Sequence, residues 1–455
     1  MENYKNYIDF INRRKQIIYN DGMKPIIIHD WLFDFQKYCV EKSLLAGRYA
    51  IFEDCGLGKT AQIISWCDNV TRQTNKPVLI ICPLAVNYQF VKEGEKFGVD
   101  IHKSSDGKVY GKINITNYEK LHMFNSNDFV GVVCDESSIL KNNLGKTKTV
   151  VTRFMKNIKY RLLATATAAP NDYPELGTSS EALGYTRYMD MLDTFFRNTS
   201  NDKNPQWNEP KWVLKGHAIN DFFRWLCSWS LAVRKPSDLG FDDSKFILPK
   251  LIVNQHEVNN RKNFDGWMFP KPANTLSERR QETKQTLAER CELAAEKALN
   301  HKSSVLWCHL DDESDLLEKL IPNSKQVNGK MKDEKKEEIL IAFQKSEIPY
   351  LIIKPKIGGF GLNWQHVSHC TYFPTDSYEQ YYQAIRREYR FGQKSDVTVD
   401  LIYSQGQIKV IKNLLRKSLQ AEKMFEKLVF HMNDVLKLDR KEYSRYEIQI
   451  PSFLK

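Results

Sequence analysis

One short segment, Glu53-Asp-Cys-Gly-Leu-Gly-Lys-Thr60, constrains the fold more than any other. It follows a run typical of a buried strand, Tyr49-Ala-Ile-Phe52, and opens a run typical of a helix, Ala61-Gln-Ile-Ile-Ser-Trp66. Glycines at a strand-to-helix turn let backbone amides approach an anion, and the helix N-terminus favours negative charge. We therefore predict a phosphate-binding loop, although the strict pattern has glycine at the segment's first position. The residues predicted to bind the phosphates are Gly56, Leu57, Gly58, Lys59 and Thr60.

A second segment ends a strand in two adjacent carboxylates. The apolar run Val130-Gly-Val-Val-Cys134 leads directly into Asp135 and Glu136. Ligands collect at the carboxyl ends of strands in a parallel sheet, so Asp135 and the Thr60 hydroxyl would ligate magnesium while Glu136 faces the attacking water. Taken alone, the pair fits an exposed turn after a core strand equally well. Downstream of a phosphate loop, the catalytic interpretation is favoured.

The pattern of apolar runs predicts an α/β protein of two lobes. Short apolar strands alternate with amphipathic helices from about residue 25 to 170, which is typical of a doubly wound parallel sheet. Further runs typical of buried strands, such as Tyr350-Leu-Ile-Ile353, predict a second lobe. The predicted limits are 1–240 for an N-terminal nucleotide-binding lobe, 178–235 for an insertion within it, 241–275 for an interlobe connection, 276–430 for a C-terminal lobe and 431–455 for a tail.

Two regions could contact nucleic acid or simply pack. Aromatic and basic side chains are interleaved in 178–235, where they could stack on bases or follow a duplex. Phe222, Trp225 and Trp229 recur at helical spacing, so we favour a helical insertion packed on the first lobe. A basic helix around Lys409 to Lys427 is interpreted as a solvated face or a brace against the first lobe, rather than as a nucleic-acid contact.

The segment Asp135-Glu-Ser-Ser138 resembles the DEAD/DEAH box of superfamily II helicases, and companion motifs follow in that family's order. The resemblance implies that Gln36 reads adenine and that Leu79-Ile-Ile-Cys-Pro-Leu84 and Ile115-Thr-Asn-Tyr118 touch the nucleic-acid backbone. Leu163-Ala-Thr-Ala-Thr167 resembles the motif that couples hydrolysis to movement. The residues implied to contact nucleic acid are Pro83, Asn117, Tyr118, Gly359, Gly361 and Asn363, and those implied in coupling are Thr165 and Thr167.

Two further stretches resemble the last two motifs of the family: Ile357-Gly-Gly-Phe-Gly-Leu-Asn363 and the stretch from Gln383 to Gln393. The second stretch lies far along the chain from the phosphate loop, so the two can act together only if two lobes close over one nucleotide. The resemblance implies that Gln383 contributes to ATP binding. It also implies that Arg387 and Arg390 join Lys59 and Glu136 in catalysis by stabilising charge on the γ-phosphate.

Within the superfamily, the Gly-Leu-Gly-Lys-Thr loop and the Arg-x-Gly-Gln ending most resemble the Swi/Snf-type double-stranded DNA translocases, especially compact phage and prophage members. The resemblance implies two RecA-like lobes, ATP and Mg²⁺ as cofactors and DNA as the partner. It also implies an ATP-dependent DNA motor in the cytoplasm of a bacterial or phage-infected cell. A strand-separating or branch-migrating helicase is an alternative, as is a nucleotide-gated DNA-binding scaffold without turnover.

Three positions depart from the family pattern. Arg386 stands where the family usually has glycine, beside the implied catalytic arginines. It could substitute for either of them or face solvent, and its replacement by glycine is expected to be mild. Lys354-Pro-Lys356 replaces small hydroxyl residues, and Ala168-Ala169 stands where proline often follows the coupling motif. These changes are expected to tune coupling rather than abolish it.

Composition agrees with a polyanion partner and argues against other classes. The chain of 455 residues carries a formal charge of +11, with a pI near 9.0. Its nine cysteines include no CxxC pair, which argues against a zinc cluster or a disulfide framework. No apolar run approaches the length of a membrane span, and the first residues lack an apolar signal core, so a cytoplasmic protein is predicted.

Overall fold

The computed structural model describes residues 21–169, 172–199, 211–258, 276–358 and 363–442, which form two lobes built on parallel sheets. The strands of the first lobe are β1 (Arg48–Glu53), β2 (Val78–Cys82), β3 (His102–Lys103), β4 (Ile113–Asn117), β5 (Gly131–Asp135), β6 (Tyr160–Thr165), β7 (Phe196–Asn198), β8 (Trp212–Leu214) and β9 (Ser230–Val233). Seven of them form one sheet in the order β3-β4-β2-β5-β6-β1-β9, whereas β7 and β8 pair separately.

The second lobe has a six-stranded sheet of its own. Its strands are β10 (Leu251–Val258), β11 (Ser304–Trp307), β12 (Ser324–Val327), β13 (Tyr350–Ile353), β14 (His369–Tyr372) and β15 (Val397–Ser404). They lie in the order β10-β15-β14-β11-β13-β12, and all are parallel. The predicted fold class, two RecA-like α/β lobes, is confirmed.

Helices separate most of the successive strands in both lobes. Those of the first lobe are α1 (Asp34–Ala46), α2 (Lys59–Thr74), α3 (Asn87–Phe97), α4 (Lys146–Met155), α5 (Leu176–Leu183), α6 (Tyr188–Phe195) and α7 (Ile219–Cys227). Those that follow are α8 (Leu276–Gln285), α9 (Leu287–Leu299), α10 (Asp311–Leu320), α11 (Asp333–Gln344), α12 (Pro355–Gly358), α13 (Tyr378–Ile385) and α14 (Ile408–Glu442). Across the described ranges, no helix is both long enough and apolar enough to cross a membrane.

The central strands explain why the sequence shows continuous apolar runs. Every residue of β2, β4 and β5 is buried, as expected when both faces of a parallel sheet are covered. β6 pairs with β5 on one side and β1 on the other, so the carboxyl ends of these three strands are neighbours. The loops that leave them therefore meet at one edge of the sheet.

The aromatic insertion packs on the first lobe, as favoured from its helical spacing. Phe222, Trp225 and Trp229 are all buried in the core of that lobe. The insertion is not purely helical, because 178–235 also contains the β7–β8 pair and β9, which joins the first sheet beside β1. Its large aromatic side chains thus stabilise the fold.

The long helix α14 belongs to both lobes. Ile411 and Leu414 are buried in the core of the second lobe, whereas Met424 and Leu428 are buried in the core of the first. The interpretation of this helix as a brace against the first lobe is therefore confirmed. It crosses the predicted boundary at residue 430, and the predicted connection 241–275 likewise contains β10, which pairs along its whole length with β15.

A polar network joins four strands of the second sheet, β10, β11, β14 and β15. Asp400 Oδ2 lies 3.1 Å from His369 Nε2, and Asp400 Oδ1 lies 3.0 Å from His256 Nε2 and accepts from Asn254 Nδ2 at 2.9 Å. On its other side, His369 Nδ1 is 2.7 Å from Ser304 Oγ. Burial alone would raise the pKa of Asp400, but the hydrogen bonds from His369, Asn254 and His256 hold it well below its ordinary value.

We expect Asp400→Asn to lower the free energy of unfolding of the second lobe by about 2 kcal/mol, because a charge-assisted network loses its anion. Urea unfolding at neutral pH measures the effect. The lowered pKa means that the ionised carboxylate stabilises the fold above the ordinary Asp pKa. The difference in the free energy of unfolding between wild type and variant should therefore decrease as the pH falls below about 4. An unchanged midpoint at neutral pH would show that the network is energetically neutral.

Candidate nucleotide site and interlobe cleft

The phosphate loop connects β1 to α2 in the predicted strand-to-helix context. Gly56 and Gly58 have φ values of 90° and 81°, a left-handed conformation that favours glycine. A Cβ atom at Gly58 would lie 2.3 Å from Gln36 Nε2, and one at Gly56 would lie 2.8 Å from the backbone nitrogen of Phe391. The loop thus needs glycine for its backbone and for close approach by neighbours from both lobes.

Lys59 begins α2, and its ammonium group turns back over the loop. Lys59 Nζ donates to the carbonyl oxygens of Glu53 at 2.8 Å and Asp54 at 3.2 Å. Thr60 follows in the first turn of the same helix, where backbone amides point out of the helix end. A positive charge and free amides therefore face the same concave loop, which suits a polyphosphate.

Gln36 touches the loop from α1. Its Nε2 donates to the Leu57 carbonyl at 2.7 Å, and its Oε1 accepts from the Phe33 amide at 2.9 Å. Beside it, the rings of Phe33, Phe246 and Phe391 form an aromatic cluster, with Phe246 stacked on Phe391 at a centroid distance of 4.7 Å. The glutamine implied to read adenine thus lies next to aromatic side chains from both lobes.

Glu53, where the strict loop pattern has glycine, is fully buried at the end of β1. Gln62 Nε2 donates to Glu53 Oε2 at 2.7 Å. Burial raises the pKa of Glu53 to about 7, and the positive charge of Lys59 opposes that rise. Sequence reasoning treated this residue only as a departure from the pattern. The structure makes it a buried carboxyl group beside the loop lysine.

The two carboxylates at the C-terminal end of β5 lie at the same edge of the sheet. Burial and the charge of Glu136 raise the pKa of Asp135 to about 7, whereas Lys59 and Arg387 lower it. Glu136 has a φ of 53°, and its Oε2 accepts from Thr165 Oγ1 at 3.4 Å. A bound cation beside this carboxylate pair would further favour its ionised form, which suits magnesium.

The predicted coupling motif contacts this carboxylate pair directly. Thr165 ends β6, and its hydroxyl also accepts from the backbone amide of Thr167 at 3.1 Å. Both threonine side chains are buried. One hydroxyl therefore links the loop after β6 to Glu136.

The arginines of the second lobe reach the same region. Arg387 is 3% exposed, and its Nε donates to the carbonyl of Gln383 at 2.9 Å. Burial and the neighbouring charge of Arg387 lower the pKa of Arg390 to about 10, while Cys55 and Glu93 act in the opposite direction. A Cβ atom at Gly56 would lie 3.4 Å from the Cβ of Arg390, so this part of the second lobe lies directly beside the phosphate loop.

Arg386 neither faces solvent nor joins the other two arginines. Its Nη2 donates to Asp54 Oδ2 at 2.5 Å, and the Tyr382 hydroxyl donates to Asp54 Oδ1. A second interlobe ion pair joins Glu379, at the other end of α13, to Lys141. Sequence reasoning missed these contacts, and the signal for the first was the unexpected charge at position 386.

The implied nucleic-acid residues are only partly brought together. A cleft of about 1080 Å³ between the lobes is lined by Pro83, Tyr118 and Asn363, together with Glu136. The side chain of Asn117 instead accepts from the Lys120 amide and caps the turn that follows β4. Gly359 and Gly361 lie outside the described residues. Lysines from both lobes also line the cleft: Lys92, Lys103, Lys141, Lys336, Lys345 and Lys356.

Tyr118 connects this cleft to the carboxylates. Its hydroxyl group donates to the backbone carbonyl of Asp135 at 2.7 Å. A group bound in the cleft against Tyr118 would therefore contact a side chain that is hydrogen-bonded to the residue before Glu136.

Comparison with known families identifies both lobes. Residues 48–214 match the SNF2-related domain, and residues 286–392 match the helicase conserved C-terminal domain. The two matches together cover more than half of the chain, and they follow the order that the motifs predicted. The chain belongs to the SNF2-related family of superfamily II helicases. Its assignment to the compact phage or prophage type stays a prediction.

Individual relatives are distant. The mouse "DNA annealing helicase and endonuclease ZRANB3" is 26% identical over 171 residues, 33% of this chain and 16% of the relative. The human protein of that name is 23% identical over 199 residues, 40% of this chain and 18% of the relative. The fission yeast "SWI/SNF chromatin-remodeling complex subunit snf22" is 21% identical over 436 residues, 80% of this chain and 26% of the relative.

The chain thus spans about a quarter or less of the length of these relatives. Among solved structures, the "Sulfolobus solfataricus SWI2/SNF2 ATPase core in complex with dsDNA" is similar with a TM-score of 0.42 and 18% identity. That similarity covers 90% of this chain and 96% of the other.

Proposed function

We propose that this chain is an ATP-dependent motor that couples ATP hydrolysis to movement on, or remodelling of, duplex or branched DNA. The observation that carries the proposal is the close approach of the second lobe to the phosphate loop that holds Lys59, where a Cβ atom at Gly56 would lie 3.4 Å from the Cβ of Arg390. The charges of Lys59 and Arg387 both lower the pKa of Asp135, which supports the same arrangement. Cations from both lobes near a candidate general base, Glu136, suit phosphoryl transfer to water.

The family resemblance implies a role for each of these residues. The amides of the phosphate loop and the ammonium group of Lys59 would hold the phosphates of ATP. Thr60 and Asp135 would hold Mg²⁺, which when bound neutralises charge on the phosphate oxygens. Glu136 would orient the attacking water and accept its proton. Arg387 and Arg390 would stabilise the charge that develops on the γ-phosphate.

Closure of the lobes would couple this chemistry to DNA. The catalytic arginines belong to the second lobe, so hydrolysis depends on the interlobe geometry that a bound nucleic acid can bias. Two contacts support a route for this coupling: Thr165 hydrogen-bonds to Glu136, and Tyr118 connects the cleft to Asp135. The lysines that line the cleft in both lobes suit a phosphate backbone.

DNA is favoured over RNA by the family and by the ZRANB3 relatives, which are named as DNA annealing helicases and endonucleases. A strand-separating helicase is the alternative within the same class, and a scaffold without turnover is the alternative from another class. The burial of Glu136 beside Thr165, at the end of a strand that also positions Asp135, argues against the scaffold.

The decisive experiment compares ATPase stimulation by duplex DNA, forked DNA, single-stranded DNA and RNA at matched salt. We expect duplex or forked DNA to stimulate turnover most strongly. Stimulation by RNA alone would contradict the choice of partner. A protein that binds ATP and DNA but releases no phosphate under any condition would support the scaffold instead.

We expect Arg390→Ala to lower DNA-stimulated turnover by roughly 10²-fold or more, within the range for loss of an arginine that stabilises the transition state. ATP affinity should stay within a few-fold, and DNA binding should hardly change, because the phosphate loop and most of the cleft are untouched. Steady-state kinetics and a DNA-binding titration separate these effects. A silent Arg390→Ala variant would mean that the catalytic arginine has been assigned to the wrong position.

A further inference from the structure

Asp54 is the residue of the phosphate loop that the second lobe holds. The side chains of Arg386 and Asp54 are each only 15% exposed, and their ion pair measures 2.5 Å between Nη2 and Oδ2. The other carboxylate oxygen accepts from the Tyr382 hydroxyl. Both donors belong to one face of α13 and its C-terminal end, because residues four apart in a helix lie side by side.

The backbone of Asp54 is equally constrained within the first lobe. Its amide donates to the Val233 carbonyl at 2.9 Å, and its carbonyl accepts from Lys59 Nζ. Its Oδ1 also accepts from the Cys55 amide at 2.6 Å. A displacement of the Asp54 carboxylate would therefore also displace the loop backbone and the ammonium group of Lys59.

Arg386 is oriented by its own lobe as well as by its partner. Its guanidinium group lies over the rings of Tyr382 and Tyr389, at 5.2 Å from each centroid, and Nη1 donates to the Tyr389 carbonyl at 3.3 Å. The next residue is Arg387, which is implied in catalysis. A shift of Arg386 relative to Asp54 therefore shifts the catalytic arginines relative to the phosphates.

We propose that Arg386 is a positioning residue, which together with Tyr382 docks the second lobe on Asp54 and thereby sets where Arg387 and Arg390 lie over the phosphate loop. The proposal rests on the proposed ATP hydrolysis. Glycine, the family's usual residue here, has no side chain to make this contact, so the docking is a feature of this chain. It also reverses the expectation from sequence that Arg386→Gly is mild, because the glycine variant leaves a mostly buried carboxylate without its cation.

The test combines a geometric readout with kinetics. Dyes attached through unnatural amino acids at exposed Leu144 of the first lobe and Leu299 of the second report the interlobe distance without nucleotide. We expect Arg386→Gln to lengthen and broaden that distance and to lower DNA-stimulated kcat about 10- to 100-fold. The KM for ATP should change less than about threefold, because the loop itself is intact.

Companion variants separate positioning from general damage. Asp54→Asn keeps the acceptor for the Cys55 amide but loses the charge, so it should also lengthen the interlobe distance and lower kcat. The double variant Asp54→Asn/Arg386→Gln should be no worse than the more severe of the two single variants. Arg386→Lys should recover part of both readouts. The matched control is Arg187→Gln, which breaks an exposed Arg–Asp pair within the first lobe and should leave both readouts unchanged.

Two outcomes would overturn the proposal. One is an unchanged interlobe distance in Arg386→Gln, and the other is a double variant whose losses multiply as for independent residues. If the wild-type protein showed no ATP turnover, yet Arg386→Gln still lengthened the interlobe distance, the docking role would stand and the proposed hydrolysis would fail. The distance readout therefore tests this inference separately from the activity.

Discussion

Lys59→Ala is expected to abolish ATP turnover and to leave the fold intact. The hydrogen bonds of the Lys59 ammonium group run to the backbone carbonyls of Glu53 and Asp54, and the side chain is only half-buried. Its loss removes the charge that would face the β and γ phosphates, whereas Ile63 and Ile64 keep α2 anchored in the core. Phosphate release, with and without DNA, measures the effect.

The matched control for this variant is Lys76→Ala, which removes an exposed lysine just beyond the same helix. Thermal unfolding should give similar midpoints for the wild type and both variants. Hydrolysis by Lys59→Ala at the wild-type rate would show that the nucleotide site lies elsewhere. A large fall in its melting temperature would instead indicate that the lysine stabilises the loop itself.

Glu136→Gln is expected to keep ATP and magnesium bound while turnover falls by about 10²- to 10⁴-fold, the range for a lost general base. Glutamine preserves the volume and the oxygen that accepts from Thr165, but it cannot take a proton from water at neutral pH. The variant should therefore accumulate in the closed, ATP-bound state on DNA. Nucleotide-binding titrations and single-turnover kinetics separate binding from chemistry.

Glu95→Gln, an exposed glutamate on α3, supplies the control for this substitution. Loss of ATP binding in Glu136→Gln would assign this residue a structural role, for example in holding Asp135. Retention of full turnover would move the general base to another group.

Local patterns were sufficient to predict the two lobes and the phosphate loop. The loop is recognisable because glycine spacing, the preceding strand and the following helix are all encoded within about 20 residues. The buried strands are recognisable because both faces of a parallel sheet demand apolar side chains. The roles of the individual site residues stay predictions, although the structure brings most of them to one edge.

Features that depend on distant contacts could not be predicted in the same way. Arg386 and Asp54 are 332 residues apart, and nothing local indicates which carboxylate a surface-like arginine will meet. The proline and glycine residues around β10 predict a connection rather than a strand. As an edge strand, β10 also leaves three of its apolar residues partly exposed. Asn117 matches a nucleic-acid motif, yet its side-chain oxygen accepts a hydrogen bond from the Lys120 amide and caps the turn after β4.

The helix α14 limits how the two lobes can move. Its contacts with the second core extend as far as Ala421, and its contacts with the first core begin at Met424. Less than one turn of helix separates the two sets, which leaves almost no length in which the helix could bend. We therefore expect α14 to stay straight, so that opening of the lobes would slide one set of its side chains across the surface beneath it. The working stroke would be a short shear movement rather than a free hinge.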